Sequence, residues 1–158
     1  MNVLVTLNSN YIKPLKVMLT SLFVNNPGEI FHIYLMHSSL KEDEVALIDA
    51  YISSFCGKLF EVKIEDKYFQ NAPVVLHYTK EMYYRLLAYK FLPRELDRIL
   101  YLDPDILVIN PVAEFYNTPL DGYLYAAAYH DVLAVTEINR IRLYPYKSAH
   151  TSIQGYCL

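Results

Sequence analysis

The 158-residue chain reads as an α/β domain built on a mainly parallel sheet. Three observations predict this class. Short β-rich apolar runs alternate with amphipathic helical runs, the helices carry start and stop chemistry, and polar residues cluster just after strand runs. In parallel sheets ligands sit outside the carboxyl ends of the strands, so those polar residues are the first candidates for function.

Residues 3–7, VLVTL, read as a short buried strand, and the following Asn8, Ser9 and Asn10 carry turn chemistry. From Pro14 the apolar residues Leu15, Met18, Leu19, Leu22 and Phe23 fall on one helical face, and NNPG stops the helix. IFHIYLM, residues 30–36, is a second strand. Ser39 and Glu42 have capping-box spacing, and Val45, Ile48, Ile52 and Phe55 form the apolar stripe of a second helix ending near Gly57. KLFEVKI is a third strand, residues 71–78 a loop, and Thr79 caps a third helix, KEMYYRLLAYKFL, ended by Pro93. RILYL is a fourth strand, VAEFY a helical turn, and YLYAAAY a further strand.

Composition narrows the function. The 54% apolar content supports one substantial core, and much of it comes from 16 tyrosines, whose hydroxyls need water or a partner. No run approaches the roughly 20 apolar residues that span a bilayer, and the opening MNVLVTL lacks a basic leader, so a cytoplasmic location is expected. A net charge of −3 with scattered basic residues gives no nucleic-acid footprint. Cys56 and Cys157 have neither metal-site spacing nor a disulfide framework around them. Four glycines leave no room for a phosphate-cradling glycine loop, so a phosphorylated ligand needs its charge neutralised by other means.

YLDPDILV, residues 101–108, places Asp103 and Asp105 between two strongly apolar runs. At ordinary aspartate usage a D-x-D arises by chance in about a third of chains this long, and a turn set by Pro104 with water-facing carboxylates is the plain reading. The setting argues for more, because unpaired carboxylates beside buried strands are costly. At a sheet's carboxyl edge the pair suits Mg²⁺ or Mn²⁺, completed by water and diphosphate oxygens. His130 and Asp131 suggest a metal phosphohydrolase as a rival, although such a site needs further histidine and aspartate ligands.

VLVTLNSNYIKPLKVMLTSL, YYRLLAYKFLP and RILYLDPDILV together resemble the amino-terminal half of glycosyltransferase family 8, from Asn2 to about Arg142. The resemblance implies a GT-A (Rossmann-like) fold. It also implies a retaining transferase that moves a hexose from UDP-glucose or UDP-galactose to a hydroxyl of a glycan or lipid-linked acceptor. Mn²⁺ or Mg²⁺ would be held by Asp103 and Asp105, with Asp103 also reaching the ribose and Pro104 between them in the nucleotide-sugar set. Tyr11 matches the aromatic that stacks on uracil, with Asn10 beside it, while Thr6 and Asn8 match contacts to the nucleoside. Arg85 matches the arginine near the donor sugar and phosphate, Asp131 lies near the sugar-binding aspartate, and His77 matches an acceptor-side position. Taken singly, Tyr11 also reads as a helix-entry residue, Asn10 as a turn residue and Arg85 as a solvated helix charge.

Two departures from the family stand out. Asn8 replaces a common acidic residue, and the family's next hundred or so residues, with the catalytic groups and third metal ligand, would lie beyond Leu158. Residues 1–145 are therefore expected to form the nucleotide-sugar-binding part. The tail, residues 146–158, reads as aberrant, since one permitted set of codons for its last residues yields Phe-Asn-Thr-Gly-Ile-Leu-Leu in a shifted frame, matching the family's Asn-x-Gly strand. A frame slip before His150 is the expectation, with impaired transfer and self-association through the truncated edge as its consequences. A non-catalytic UDP-sugar-binding remnant is the alternative.

Overall fold

The computed structural model describes residues 1–65 and 81–127. They form β1 (Asn2–Thr6), a 3₁₀ turn (Ser9–Tyr11), α1 (Ile12–Asn25), β2 (His32–His37), α2 (Glu42–Ser53), β3 (Lys58–Lys63), α3 (Glu81–Phe91), β4 (Leu100–Tyr101) and α4 (Ala113–Tyr116). Among these residues the sheet has four strands in the order β3-β2-β1-β4, all paired parallel. Two units divide the chain, Met1–Tyr116 and Asn117–Leu158. The first holds the whole sheet.

Strand order determines where the helices lie. From β1 to β2 to β3 the sheet grows in one direction, so right-handed crossovers put α1 and α2 on one face. The chain then returns past β1 to add β4 on the other side, which puts α3 on the opposite face. Side-chain alternation agrees with this arrangement. Leu4, Tyr34 and Met36 share one sheet face and form a core cluster with Tyr84 and Ala88 of α3. Val3, Val5, Ile33 and Leu35 point the other way and are fully buried, as are Leu15, Met18, Leu19 and Leu22 of α1 and Ile52 of α2. Burial on both faces explains why β1 and β2 read as nearly continuous apolar runs.

Several sequence expectations shift. The capping interaction of α2 is not Ser39–Glu42, because Leu40 is buried and its N–H donates to His37 Nδ1 at 3.2 Å. The helix consequently starts later, and Glu44 takes the backbone N–H of Lys41 at 2.9 Å. Phe55 lies beyond α2 and stacks on Phe23 at 4.8 Å rather than completing a buried stripe. After α2 the left-handed position is Cys56 (φ 59°), and Gly57 is required by close packing, since a Cβ there would meet Ile52 Cγ2 at 2.7 Å.

The fourth strand pairs only over Leu100–Tyr101, because the Arg98 carbonyl accepts from Asn2 Nδ2 at 3.2 Å, outside the ladder. In the second unit, residues 123–127 form no strand. Ala128 and Tyr129, the end of the expected YLYAAAY strand, lie outside the described residues. A turn precedes the run, with Tyr123 N–H donating to Leu120 O at 2.7 Å. The expected loop over 71–78 and the Thr79 cap lie outside the described residues.

Polar side chains of α1 and of the residue that caps its end, Asn26, fasten the segment that follows the two aspartates. Ser21 Oγ accepts from Val108 N–H at 2.9 Å, Asn25 Nδ2 donates to Val108 O at 2.9 Å, and Asn26 Oδ1 accepts from Val112 N–H at 2.7 Å. Asn26 is buried and also donates to Leu22 O. Replacing Asn26 with Leu leaves the buried Val112 N–H without its acceptor, and urea unfolding should show a loss of about 1–3 kcal/mol.

His37 is fully buried at the carboxyl end of β2, between Leu40 N–H on Nδ1 and Glu61 Oε1, which lies 3.0 Å from Nε2. Since Nδ1 accepts, Nε2 carries the proton. Burial lowers the His37 pKa below 6.5, more than the hydrogen bond and charge of Glu61 raise it. The folded state thus binds fewer protons than the unfolded state below pH 6.5. The stabilisation is present above that pH and is lost as pH falls through the lowered folded value. Melting temperature should fall between pH 7 and about pH 5. His37→Asn, which keeps an acceptor near Nδ1 but has no ring to titrate, should flatten that part of the profile.

Candidate functional site

Strand order creates a switch point between β1 and β4, where successive connections leave toward opposite faces of the sheet. The crevice outside the carboxyl ends of such a strand pair is where open α/β sheets bind ligands. Nearly all the described candidates arise there. β1 ends at Thr6 and leads into Asn8, Ser9, Asn10 and Tyr11, while β4 ends at Tyr101 and leads into Asp103, Pro104 and Asp105.

On the β1 side, Asn8 caps the 3₁₀ turn, its Oδ1 accepting from Asn10 N–H at 3.1 Å, and Tyr11 N–H donates to Asn8 O at 3.0 Å. Asn10 is exposed and Tyr11 half-buried at the entry to α1. Ser9 Oγ donates to Glu44 Oε2 at 3.0 Å, tying this turn to the start of α2. These bonds fix a tight polar turn with a tyrosine at its end.

On the β4 side, alternation puts Tyr101 and Asp103 on the same sheet face as Leu4 and Thr6, and the register sets Tyr101 opposite Leu4. The Tyr101 hydroxyl donates to Asp103 Oδ1 at 2.6 Å. Its proton being committed there, the 3.2 Å contact with Thr6 Oγ1 is a bond that threonine donates. Burial, followed by the hydrogen bond and charge of Asp103, raises the phenol's pKa, so it remains a neutral donor throughout the physiological range.

Arg85 approaches from α3. A terminal guanidinium nitrogen lies 3.7 Å from Asp103 Oδ1, and the guanidinium carbon sits 5.1 Å from the Tyr101 ring centroid. The side chain is about a third exposed (34%), so it pairs with the site while still reaching water.

Pro104 is buried and Asp105 exposed, a turn that turns the second carboxylate outward. Among the described residues no three His, Cys, Asp or Glu side chains gather as a metal site. Asp103 and Asp105 carry hard carboxylate oxygens, the donor chemistry that Mn²⁺ or Mg²⁺ takes together with water and phosphate oxygens. His77 and Asp131 lie outside the described residues.

The residue not singled out from the sequence is Tyr101. Its signal was present in the i, i+2 spacing to Asp103, which places both on one strand face, but Thr6 became its partner only through strand pairing.

An α/β domain with two carboxylates and an arginine at its switch point has the architecture of nucleotide-sugar enzymes, and comparison with known proteins identifies the family. Residues 2–154 match the model for glycosyl transferase family 8, to which the chain belongs. It is 28% identical over 148 residues to the lipopolysaccharide 1,2-glucosyltransferase of Escherichia coli K12, covering 87% of this chain and 40% of that protein. It is 25% identical over 126 residues to glycosyltransferase GlyF of Streptococcus pneumoniae, covering 80% of this chain and 31% of that one. The galactosyltransferase LgtC, solved with donor and acceptor sugar analogues, superposes with a TM-score of 0.70 at 22% identity, over 76% of this chain and 43% of LgtC. The fold is accordingly GT-A. The chain spans less than half the length of these relatives. No helix among the described residues is long and apolar enough to cross a membrane.

The turn after β1 yields a direct test of its own geometry. Asn8→Ala removes the cap on Asn10 N–H and should cost about 1 kcal/mol in chemical unfolding, whereas Asn8→Asp, which keeps an acceptor, should retain most of that stability.

Proposed function

We propose that this chain is the donor-binding part of a metal-dependent, retaining glycosyltransferase. Such an enzyme transfers a hexose from UDP-glucose or UDP-galactose to a glycan or lipid-linked acceptor, working in the cytoplasm on cell-surface or lipopolysaccharide-type glycans. The observation that carries this reading is the contact chain Thr6–Tyr101–Asp103–Arg85 at the carboxyl ends of β1 and β4, with the Asn8–Tyr11 turn and Asp105 following those strand ends in sequence. Family membership and the lipopolysaccharide glucosyltransferase relative support the reaction class.

In this reading Asp103 and Asp105 would hold Mn²⁺ or Mg²⁺ at the donor's diphosphate. When bound, the ion supplies Lewis-acid stabilisation of the departing UDP. Arg85 adds a fixed positive charge beside the same oxygens, and its planar fork suits phosphate or sugar hydroxyls. Tyr11 offers a ring for the uracil to stack on, with Asn10 at the base edge, while Thr6 and Asn8 address the nucleoside. The aspartates and the ion thereby take the place of a glycine-rich phosphate loop.

A second reading of the same residues is donor binding without transfer. Calorimetry with UDP tests the shared part of both readings. Mn²⁺ should strengthen binding, and Asp105→Ala should remove that gain, weakening binding in the presence of the ion at least roughly tenfold, the scale of losing a charged ion ligand. Binding that ignores both the metal and the substitution would overturn the assignment. Release of UDP from UDP-glucose or UDP-galactose, with or without an acceptor, separates a transferring protein from a binding one.

A further inference from the structure

We infer that Tyr101 is a positioning residue for the ion-binding carboxylate. Its hydroxyl holds Asp103 by Oδ1 and keeps that carboxylate from collapsing onto Arg85. This inference rests on the proposed donor site and adds to it a residue that would touch neither nucleotide nor metal.

Two groups compete for the same oxygen. The Tyr101 hydroxyl lies 2.6 Å from Asp103 Oδ1, a full hydrogen bond, whereas the Arg85 nitrogen is 3.7 Å away, close enough to attract but too far to bond. A guanidinium hydrogen-bonded to a carboxylate is the stronger partner of the two when the geometry permits. With the phenolic proton donated to Asp103, Thr6 Oγ1 is left to donate to the Tyr101 oxygen at 3.2 Å, which helps fix the hydroxyl where it meets Oδ1. Arg85 in turn rests 5.1 Å above the Tyr101 ring, so a single side chain spaces the cation and orients the anion.

Removing only the hydroxyl leaves the ring in place beneath Arg85 and frees Asp103 to rotate. The carboxylate then moves onto Arg85, and both charges are drawn away from the ion and the diphosphate. Groups that orient a metal ligand from behind commonly contribute 10–100-fold in metal affinity.

The experiment is a Mn²⁺ titration of the full chain with saturating UDP, following the electron paramagnetic resonance signal of the free ion, alongside metal-free UDP binding and thermal melting. Tyr101→Phe should raise the Mn²⁺ Kd roughly tenfold and leave metal-free UDP binding unmoved. Thr6→Val should shift the Mn²⁺ Kd in the same direction by less; because Thr6 is also assigned to the nucleoside it is judged on the Mn²⁺ Kd at saturating UDP alone, and it carries the test should Tyr101→Phe fail to fold. A lower melting temperature with unchanged Mn²⁺ affinity in the folded variants overturns the inference, and so does an equal loss of metal-dependent and metal-free UDP binding in Tyr101→Phe. A wild-type chain that takes up no Mn²⁺ overturns the donor site itself, an outcome distinct from wild-type uptake that the Tyr101 variant matches.

Discussion

The structure depends on a reversal of sheet growth at β1. Two crossovers carry the chain outward from β1 to β3, and the return to β4 on the far side of β1 leaves neighbouring strands whose connections diverge. Right-handed crossover chirality then assigns α1 and α2 to one face and α3 to the other. A crevice at the carboxyl ends of β1 and β4 follows from that geometry, whatever side chains line it. The Thr6–Tyr11 segment follows one strand end and Asp103 and Asp105 the next, while Arg85 approaches Asp103 from the helix over the shared face.

Charge at this crevice is managed by graded exposure. Asp105 is exposed and remains solvated, while Asp103 is mostly sheltered (19%) and would be costly there alone. A buried phenol and a partly solvated guanidinium share its Oδ1, which lowers the cost without closing the carboxylate into a tight ion pair. A fully formed Arg85–Asp103 bond would satisfy both charges and remove them from ligand binding. The site's electrostatics thus leave part of the aspartate's charge uncompensated, in the form that a divalent ion can use.

Rigidity around the site comes from side chains that hydrogen-bond to the backbone of distant segments. Ser21, Asn25 and Asn26 hold Val108 and Val112 against the end of α1, so the chain beyond Asp105 is tied down within a few residues. On the β1 side, Ser9 and Lys41 N–H converge on Glu44, linking the candidate base-binding turn to α2. His37 fastens Leu40 ahead of that helix. None of these bonds involves a candidate ligand contact; those to Val108 and Val112 tie down the chain just after Asp105, and that of Ser9 lies within the candidate base-binding turn.

The sequence by itself determined the alternation of strands and helices, the strand-end placement of Asp103 and Asp105, and the family. These properties are local, written in apolar period, turn chemistry and the residues of continuous motifs. Tertiary structure decided what required two segments at once. Only strand pairing brings Thr6 to Tyr101, only the packing of α3 brings Arg85 near Asp103, and only the burial of Leu40 with His37 moves the start of α2. Residues 123–127 show the same limit from the other side, since their β propensity is not realised as a strand. A carboxylate's neighbours are set by the sheet that assembles around it, and no spacing along the chain encodes them.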